Sequence, residues 1–391
     1  MNEHFSSKNF TLGILGGGQL GRMLIQKAHD FNVSTAVMDA DADAPCKYLC
    51  ERFINADFKN YDAVYAFGKT VSLLTVEIEH VNVDALQQLE LEGLKVYPQP
   101  AILKLVQDKG LQKQFYRINK IPTASFKCFA DKAELMAYDG KFPVIQKLRT
   151  EGYDGKGVMK LNSKADLKNG FEVPSIIEEC IDFEKEISVI VSRNAKGEMS
   201  NYPVVEMEFN AEANLVEFLI SPANISQHIE NDAIQIARDL ISKLELVGLL
   251  AVEMFVTKNG NVLVNEIAPR PHNSGHQSIE GNVTSQFEQH LRAILNLPPG
   301  DTSIIQPSVM VNILGEKGFT GEANYKGIEE VLQLSGTHIH FYGKKMTKPF
   351  RKMGHVTITD ANKSEAIRKA KFVKEKLIVV SDEVKRDEVK K

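Results

Sequence analysis

The stretch GLLAVEMFVTKNGNVLVNEIAPRPHNSGH, Gly248 to His276, decides how this chain is read. It opens as two apolar runs around Asn259-Gly260. Asn-Gly between apolar strands marks a hairpin, because both central positions of its tight turn need positive φ. With those two residues as the turn, Lys258 pairs with Asn261, and counting back sets Glu253 directly opposite Glu266. Opposed residues share a face, their Cβ atoms about 4.5–5.5 Å apart. Two carboxylates that close, among neighbours as apolar as LLAVEMF and VLVNEI, repel each other and lose hydration. Either one keeps a proton or a cation lies between them. Oxygen donors around a divalent ion that retains water and phosphate oxygens suit magnesium with a nucleotide. Asn265 points to the other face of an ideal strand unless a bulge turns it. The alternative is a surface hairpin with both glutamates in solvent, and the apolar neighbours weigh against it.

The rest of the chain sets bounds. Its 391 residues exceed one core and predict two or three domains. Apolar residues at 43% and charged residues at 25% indicate a globular protein. A net charge of −4 excludes general affinity for nucleic acid or anionic membrane, so any anion site must be a local basic cluster. MNEHFSSKNF lacks an apolar signal core and no stretch reaches membrane-spanning length, so a cytoplasmic protein is expected. Cys46, Cys50, Cys128 and Cys180 form neither a disulfide framework nor a zinc pattern and read as reduced thiols.

The first hundred residues alternate strand and helix: TLGILG, RMLIQKAHDF, STAVMD, VSLLTVEIEHV and VDALQQLELEG. That pattern predicts a parallel α/β domain. A smaller segment with strands around PVIQKL and GVMKL follows. A third part opens with EISVIVSR and contains a helix near Gln227–Leu244. After Pro298-Pro299-Gly300 come the strands SVMVNIL, THIHFYG and HVTIT and a last helix.

Two glycine clusters stand out. Gly152, Gly155 and Gly157 punctuate a turn after the strand carrying Lys147, with Tyr153, Asp154 and Lys156 inside it. It is not a P-loop, since the G-K-[ST] signature and following helix are absent. Backbone N–H groups of such a turn can approach phosphates because no Cβ intervenes, with Lys147 as a point charge; an ordinary hairpin is the alternative. Gly16-x-Gly18-x-x-Gly21 before a helix, with Asp39 ending the next strand, fits a dinucleotide fingerprint and keeps NAD open. Between the 152–157 turn and the hairpin, IIEECIDFEKEISV reads as a hinge whose backbone could pair with adenine and whose Glu186 could accept ribose hydroxyls; a solvated acidic linker is the alternative.

Lys109, Lys147, EGYDGKG, the hinge Glu178-Glu179-Cys180-Ile181, Glu186, Glu253 and Asn265-Glu266 together resemble the nucleotide site of the ATP-grasp fold. More narrowly, GGGQLGRM, GYDGKG, NEIAPRPHNSGH and FRKMGH are similar to the N5-carboxyaminoimidazole ribonucleotide synthetase family, in order, over about residues 11–360. Departures are Glu151 and Phe350 where that family usually has glycine, and Lys109 where arginine is common.

The resemblance implies an α/β (α+β) ATP-grasp architecture. A Rossmann-like domain would span 1–110, a central lid 111–181 and a mixed-sheet domain 182–391, with a terminal subdomain from about 318. It implies carboxylation of 5-aminoimidazole ribonucleotide by bicarbonate and ATP. Two magnesium ions, replaceable by manganese, would sit on Glu253 and Glu266. Lys109, Lys147, Gly152 to Gly157, Glu178 to Ile181, Glu186, Glu206 and Asn265 would hold ATP. Tyr153, Asp154, Arg270, His272, Asn273 and Ser274 would serve the reacting carbon and the acceptor. Gly18, Gln19 and Leu20 would approach the ribonucleotide, with Glu77 on its ribose, although Glu79 shares that strand face. Lys344, Lys345, Lys348, Arg351 and Lys352 form a local basic run; the match selects Lys344, Arg351 and Lys352 for the substrate phosphate. The family suggests a homodimer. The rivals are a formate-using glycinamide ribonucleotide transformylase, an NAD-dependent oxidoreductase built on the first domain, and a nucleotide-sensing module without turnover.

Overall fold

Strand–helix alternation at the N-terminus becomes a parallel sheet in the computed structural model, which describes residues 5–150, 152, 157–210, 212 and 215–382. Its strands are β1 (Thr11–Leu15), β2 (Ser34–Asp39), β3 (Arg52–Asn55), β4 (Leu73–Val76) and β5 (Lys95–Tyr97), ordered β3-β2-β1-β4-β5. β3 and β5 escape the hydrophobic pattern because each is too short to show a period. VSLLTVEIEHV is not one long strand: β4 stops at Val76, so Glu77 and Glu79 leave the sheet and share no strand face.

Four antiparallel strands form the second sheet: β6 (Phe126–Phe129), β7 (Val144–Leu148), β8 (Val158–Leu161) and β9 (Ser175–Glu179), ordered β6-β9-β7-β8. Ile145 pairs with Glu178, so Lys147, two residues further on, lies on the same face as Glu178.

The third sheet has nine strands. β10 (Phe183–Arg193) lies between β14 (Gly248–Thr257) and β12 (Val205–Phe209), and also pairs with β11 (Met199–Asn201). β15 (Val262–Ala268) flanks β14. Beyond β12 come β13 (Val216–Ser221), β16 (Ser308–Leu314) and the strands Lys352–Thr359 and Thr337–Phe341. Helix Gln227–Lys243 buries Ala233, Ala237, Leu240 and Ile241. They join a core with Ile187, Val189, Val252, Met254, Val264 and Ile267 of the sheet. Each large aliphatic side chain so buried contributes about 1.5–3 kcal/mol, and a one-residue slip would expose the whole row. The opposite face is therefore held open for Glu186, Ser188 and Glu253.

The hairpin differs from the expected turn. Thr257 N–H donates to Asn261 O (2.9 Å), Gly260 N–H donates to Thr257 O (2.8 Å), and Gly260 has φ +79°. The loop is thus the three residues Lys258-Asn259-Gly260, a turn closed by a left-handed glycine, and Val256 pairs with Val262. That shifts the register by one from the count made with a two-residue turn. A bulge then shifts it back between Met254↔Val264 and Glu253↔Glu266, leaving Asn265 as the extra residue. Two irregularities cancel, and the glutamates are opposed.

Candidate functional site

Glu253 and Glu266 lie on β14 and β15, where Lys109 and the second sheet meet the large one. Burial raises the Glu253 carboxyl to about 8, helped by the negative charges of Glu266 and Glu186. Partial desolvation pushes Glu266 up, although 48% of its side chain is exposed, but the Lys109 charge and hydrogen bond, aided by Lys147, outweigh it and hold Glu266 below its ordinary value. Glu186, on the face of Glu253, is raised by burial to about 7. An acid that retains its proton near neutrality beside an ionised one is a pair suited to exchanging that proton for a cation. Among the described residues no group of three or more His, Cys, Asp or Glu could hold a metal. The donor set fits a hard divalent ion that takes only two protein carboxylates and fills its shell with phosphate and water oxygens.

Lysines from two other elements reach β15 at the pair, one on Glu266 and one on the adjoining Asn265. Lys109 Nζ is 2.6 Å from Glu266 Oε1. Lys147 Nζ lies 2.9 Å from Glu178 Oε2 and 3.0 Å from Asn265 Oδ1. The bulge thus turns Asn265 toward Lys147. Glu178 is not hinge backbone: its residue pairs within the sheet, and its buried carboxylate bridges Lys147 and Lys113, the latter 3.0 Å away. Burial raises this acid and the two lysines together pull it below the ordinary range. Lys113 also donates to Thr123 Oγ1, which donates to Val264 O at 2.7 Å, fastening the bulged strand.

Residues 107 to 109 join all three sheets. Gln107 Nε2 donates to Glu79 O and Val81 O beyond β4. Asp108 accepts from Arg149 at the end of β7, at 2.9 and 2.5 Å, and caps the helix Lys109–Ile118. Lys109 reaches β15.

At the N-terminal glycine loop, Glu77 accepts from Gly18 N–H (2.8 Å) and Gly21 N–H (2.9 Å), and Asp39 accepts from Gly17 N–H (2.6 Å). The chain's own carboxylates fill the cradle a dinucleotide pyrophosphate would need, which counts against NAD. A Cβ on Gly18 would lie 2.5 Å from Glu77 Oε1, so close approach requires glycine. Gln19 and Leu20 begin the helix Gln19–Asp30 that follows. Glu79 goes elsewhere, 2.8 Å from Arg270 Nη2.

In the motif after β15, His272 Nδ1 accepts from Ser274 N–H (3.3 Å) and lies 3.7 Å from Glu253 Oε1. Burial, with the charges of Arg270 and Lys352, holds His272 far below its ordinary value, so the imidazole is neutral. Asn273 and Ser274 correct the expectation that both face the reacting carbon. Asn273 exchanges two 2.9 Å amide hydrogen bonds with Asn312, and buried Ser274 bonds Ser188 at 2.8 Å. Their polar atoms are used in holding the loop.

The basic run divides. Lys344 Nζ donates to Lys352 O and Arg351 Nη1 to Met346 O, both at 2.7 Å. Lys345 pairs with Asp43 at the surface. The Lys352 charge bears on both Glu253 and His272, so it lies toward the carboxylate pair. Phe350 has φ +61°, a left-handed conformation that glycine adopts without strain.

Glu206 lies on the core face of β12, opposite the face of Glu186, paired with Lys185 at 2.6 Å and accepting from Asn224 N–H. This position argues against contact with the nucleotide. Glu179 accepts from Ser125 at the start of the connector through Cys180 and Ile181. Of the glycine-rich loop, Gly152 and Gly157 are described, the latter with φ +75°. Glu151, Tyr153, Asp154, Gly155 and Lys156 lie outside the described residues.

Residue reading missed Lys113, Thr123, Asp108 and Arg149. Only Lys113 left a signal, one helical turn after Lys109 and so on its face. The others are ordinary polar residues until the sheets meet.

A lid sheet and a large antiparallel sheet gripping a carboxylate pair and two lysines define an ATP-grasp protein, and an ATP-grasp domain model matches residues 114–287. A ribonucleotide synthetase preATP-grasp domain matches 10–107, and a phosphoribosylaminoimidazole carboxylase C-terminal domain matches 308–369. The chain is 35% identical to the Bacillus subtilis N5-carboxyaminoimidazole ribonucleotide synthase, over 94% of this chain and 96% of that one. Among solved structures, the Thermotoga maritima N5-carboxyaminoimidazole ribonucleotide synthetase is 42% identical with a TM-score of 0.88, covering 95% of this chain and 100% of that one. An Aspergillus clavatus N5-carboxyaminoimidazole synthase in complex with ADP and 5-aminoimidazole ribonucleotide is 34% identical with a TM-score of 0.83, covering 94% and 98%. Fungal relatives named phosphoribosylaminoimidazole carboxylase are matched over about two thirds of their length, 66% for that of Saccharomyces cerevisiae. The chain belongs to the N5-carboxyaminoimidazole ribonucleotide synthase family of ATP-grasp ligases. No helix of the described residues is long and apolar enough to cross a membrane.

Proposed function

We propose that this chain joins bicarbonate to the amine of 5-aminoimidazole ribonucleotide at the expense of ATP, giving N5-carboxyaminoimidazole ribonucleotide, ADP and phosphate in purine biosynthesis. The observation that carries the reading is the opposed pair Glu253 and Glu266, with Lys109 on Glu266 and Lys147 on the adjoining Asn265, both from outside that sheet. A relative with ADP and 5-aminoimidazole ribonucleotide bound supports the substrate assignment.

Bicarbonate oxygen attacks the γ-phosphorus of ATP while the bond to ADP breaks, forming carboxyphosphate. The substrate amine then attacks its carbonyl carbon, phosphate leaves, and the amine gives up a proton. Lys109, Lys147 and the loop from Gly152 to Gly157 would orient the phosphates, and Glu186 the ribose of ATP. Magnesium held by Glu253 and Glu266 would neutralise triphosphate charge when bound. Arg270 and neutral His272 would hold bicarbonate, with Tyr153 and Asp154 closing over the acceptor. Gly18, Gln19, Leu20 and Glu77 would meet the ribonucleotide, and Lys344, Arg351 and Lys352 its phosphate side. The three sheets support the division into 1–110, 111–181 and 182–391. Metabolite substrates of this kind support a cytoplasmic site of action, and the family supports a homodimer. ADP release that requires both bicarbonate and the ribonucleotide is the test. Release that ignores the ribonucleotide, or that accepts formate in place of bicarbonate, overturns the reading.

A further inference from the structure

The two acids of TVEIEHV are separated by one residue and do different work. Glu77 turns back onto Gly18 and Gly21 of the N-terminal glycine loop, while Glu79 crosses to the large sheet and pairs with Arg270 at 2.8 Å. Both members of that pair are largely buried, with 12% of the Glu79 side chain and 16% of the Arg270 side chain exposed. The Glu79 backbone is itself fastened: Gln107 Nε2 and Val81 N–H both donate to its carbonyl. Arg270 stands between Pro269 and Pro271 and donates through Nη1 to Pro271 O. A planar guanidinium held through Nη2 by a carboxylate and through Nη1 by Pro271 O has its rotation set, so the direction it presents to an anion depends on Glu79.

We propose that Glu79 is a positioning residue for Arg270, so that the bicarbonate-holding arginine is aimed by the domain that receives the ribonucleotide. This rests on the function proposed above. Glu79 does not itself touch a substrate. Its effect passes through Arg270, and because it follows Glu77 by two residues it links the glycine-loop segment to the anion site.

A carboxylate beside an anion site also repels the anion, and this makes the test one of sign. Were Glu79 only a nearby charge, Glu79→Gln would lower the KM for bicarbonate, and Glu79→Asp would leave it unchanged. Positioning predicts that both variants raise it, Glu79→Gln by about tenfold or more, the scale of one charge-assisted contact. The KM values for ATP and ribonucleotide should stay within about twofold, and circular dichroism should show the fold retained, with a lower melting temperature expected from breaking a largely buried pair. In an Arg270→Lys background, Glu79→Gln should add little, because the group it aims is already gone. A rise confined to the ribonucleotide KM would make Glu79 a substrate ligand and overturn the proposal. An unchanged or lowered bicarbonate KM overturns it as well. The unmodified chain is assayed first: if its ADP release does not need bicarbonate and ribonucleotide, the function fails, whereas failure of the variants alone removes only the role of Glu79.

Discussion

Glu253 and Glu266 face each other across one hairpin and are driven in opposite directions as acids, Glu253 up to about 8 and Glu266 below its ordinary value. The asymmetry comes from Lys109, whose ammonium lies on Glu266 and leaves Glu253 to buried surroundings and negative neighbours.

A pH dependence of stability follows. In the unfolded chain Glu253 ionises near 4.5, but in the folded, metal-free protein it holds its proton to about 8. The folded state binds the extra proton across that window, so stability from this group is full below 4.5 and is lost as pH rises through about 8, at no more than about 1.4 kcal/mol per unit. Glu186, raised to about 7, acts in the same sense. Glu266 has the opposite sign, with stability present above its unfolded value and lost as pH falls through its lowered one. Melting temperature in chelator should fall from about pH 5 to about pH 8, and Glu253→Gln should flatten the slope. Equal slopes in both proteins would assign the effect elsewhere.

Glu266→Gln should reduce kcat by about a hundredfold or more while the fold survives, since a neutral amide fits the strand but weakens any cation site. Circular dichroism and ADP release at saturating magnesium check this. Near-normal turnover at limiting magnesium would show that Glu266 does not serve the metal.

Lys113→Met removes one of two cations on Glu178, in a pair whose side chains are only 2% and 5% exposed. Leaving a buried carboxylate half-neutralised should cost about 3 kcal/mol in urea unfolding. Because Lys147 shares that carboxylate, the KM for ATP should rise with it, whereas a stability loss with unchanged ATP kinetics would restrict Lys113 to the core.

Arg351→Ala should raise the KM for the ribonucleotide by about tenfold, the scale of a charge-assisted contact to phosphate. The side chain is half-buried and donates to the backbone at Met346 O, so melting should barely move. A selective rise in the KM for ATP would move this arginine to the nucleotide.

Local patterns were legible wherever neighbours in sequence decide the physics. Alternation and turn residues revealed the parallel domain and the hairpin, and crowding of Glu253 against Glu266 announced a charged site. The register came right by two offsetting irregularities, a three-residue loop and a bulge at Asn265, neither of which an ideal strand count contains. The motif run placed Arg270 and His272 beside Glu79 and Glu253, pairings that spacing does not contain, and it overassigned Asn273 and Ser274, whose hydrogen-bond partners, Asn312 and Ser188, are far away in sequence.

By itself the sequence determined the strand and helix periods, the glycines that permit close backbone approach, and the family motifs, because each depends on spacing along the chain. Only the tertiary structure decided which acid meets which base: Glu77 with the glycine loop, Glu79 with Arg270, Glu178 with Lys113 and Lys147, Glu266 with Lys109. Charges pair across space at a few ångströms, and three sheets must dock before those distances exist.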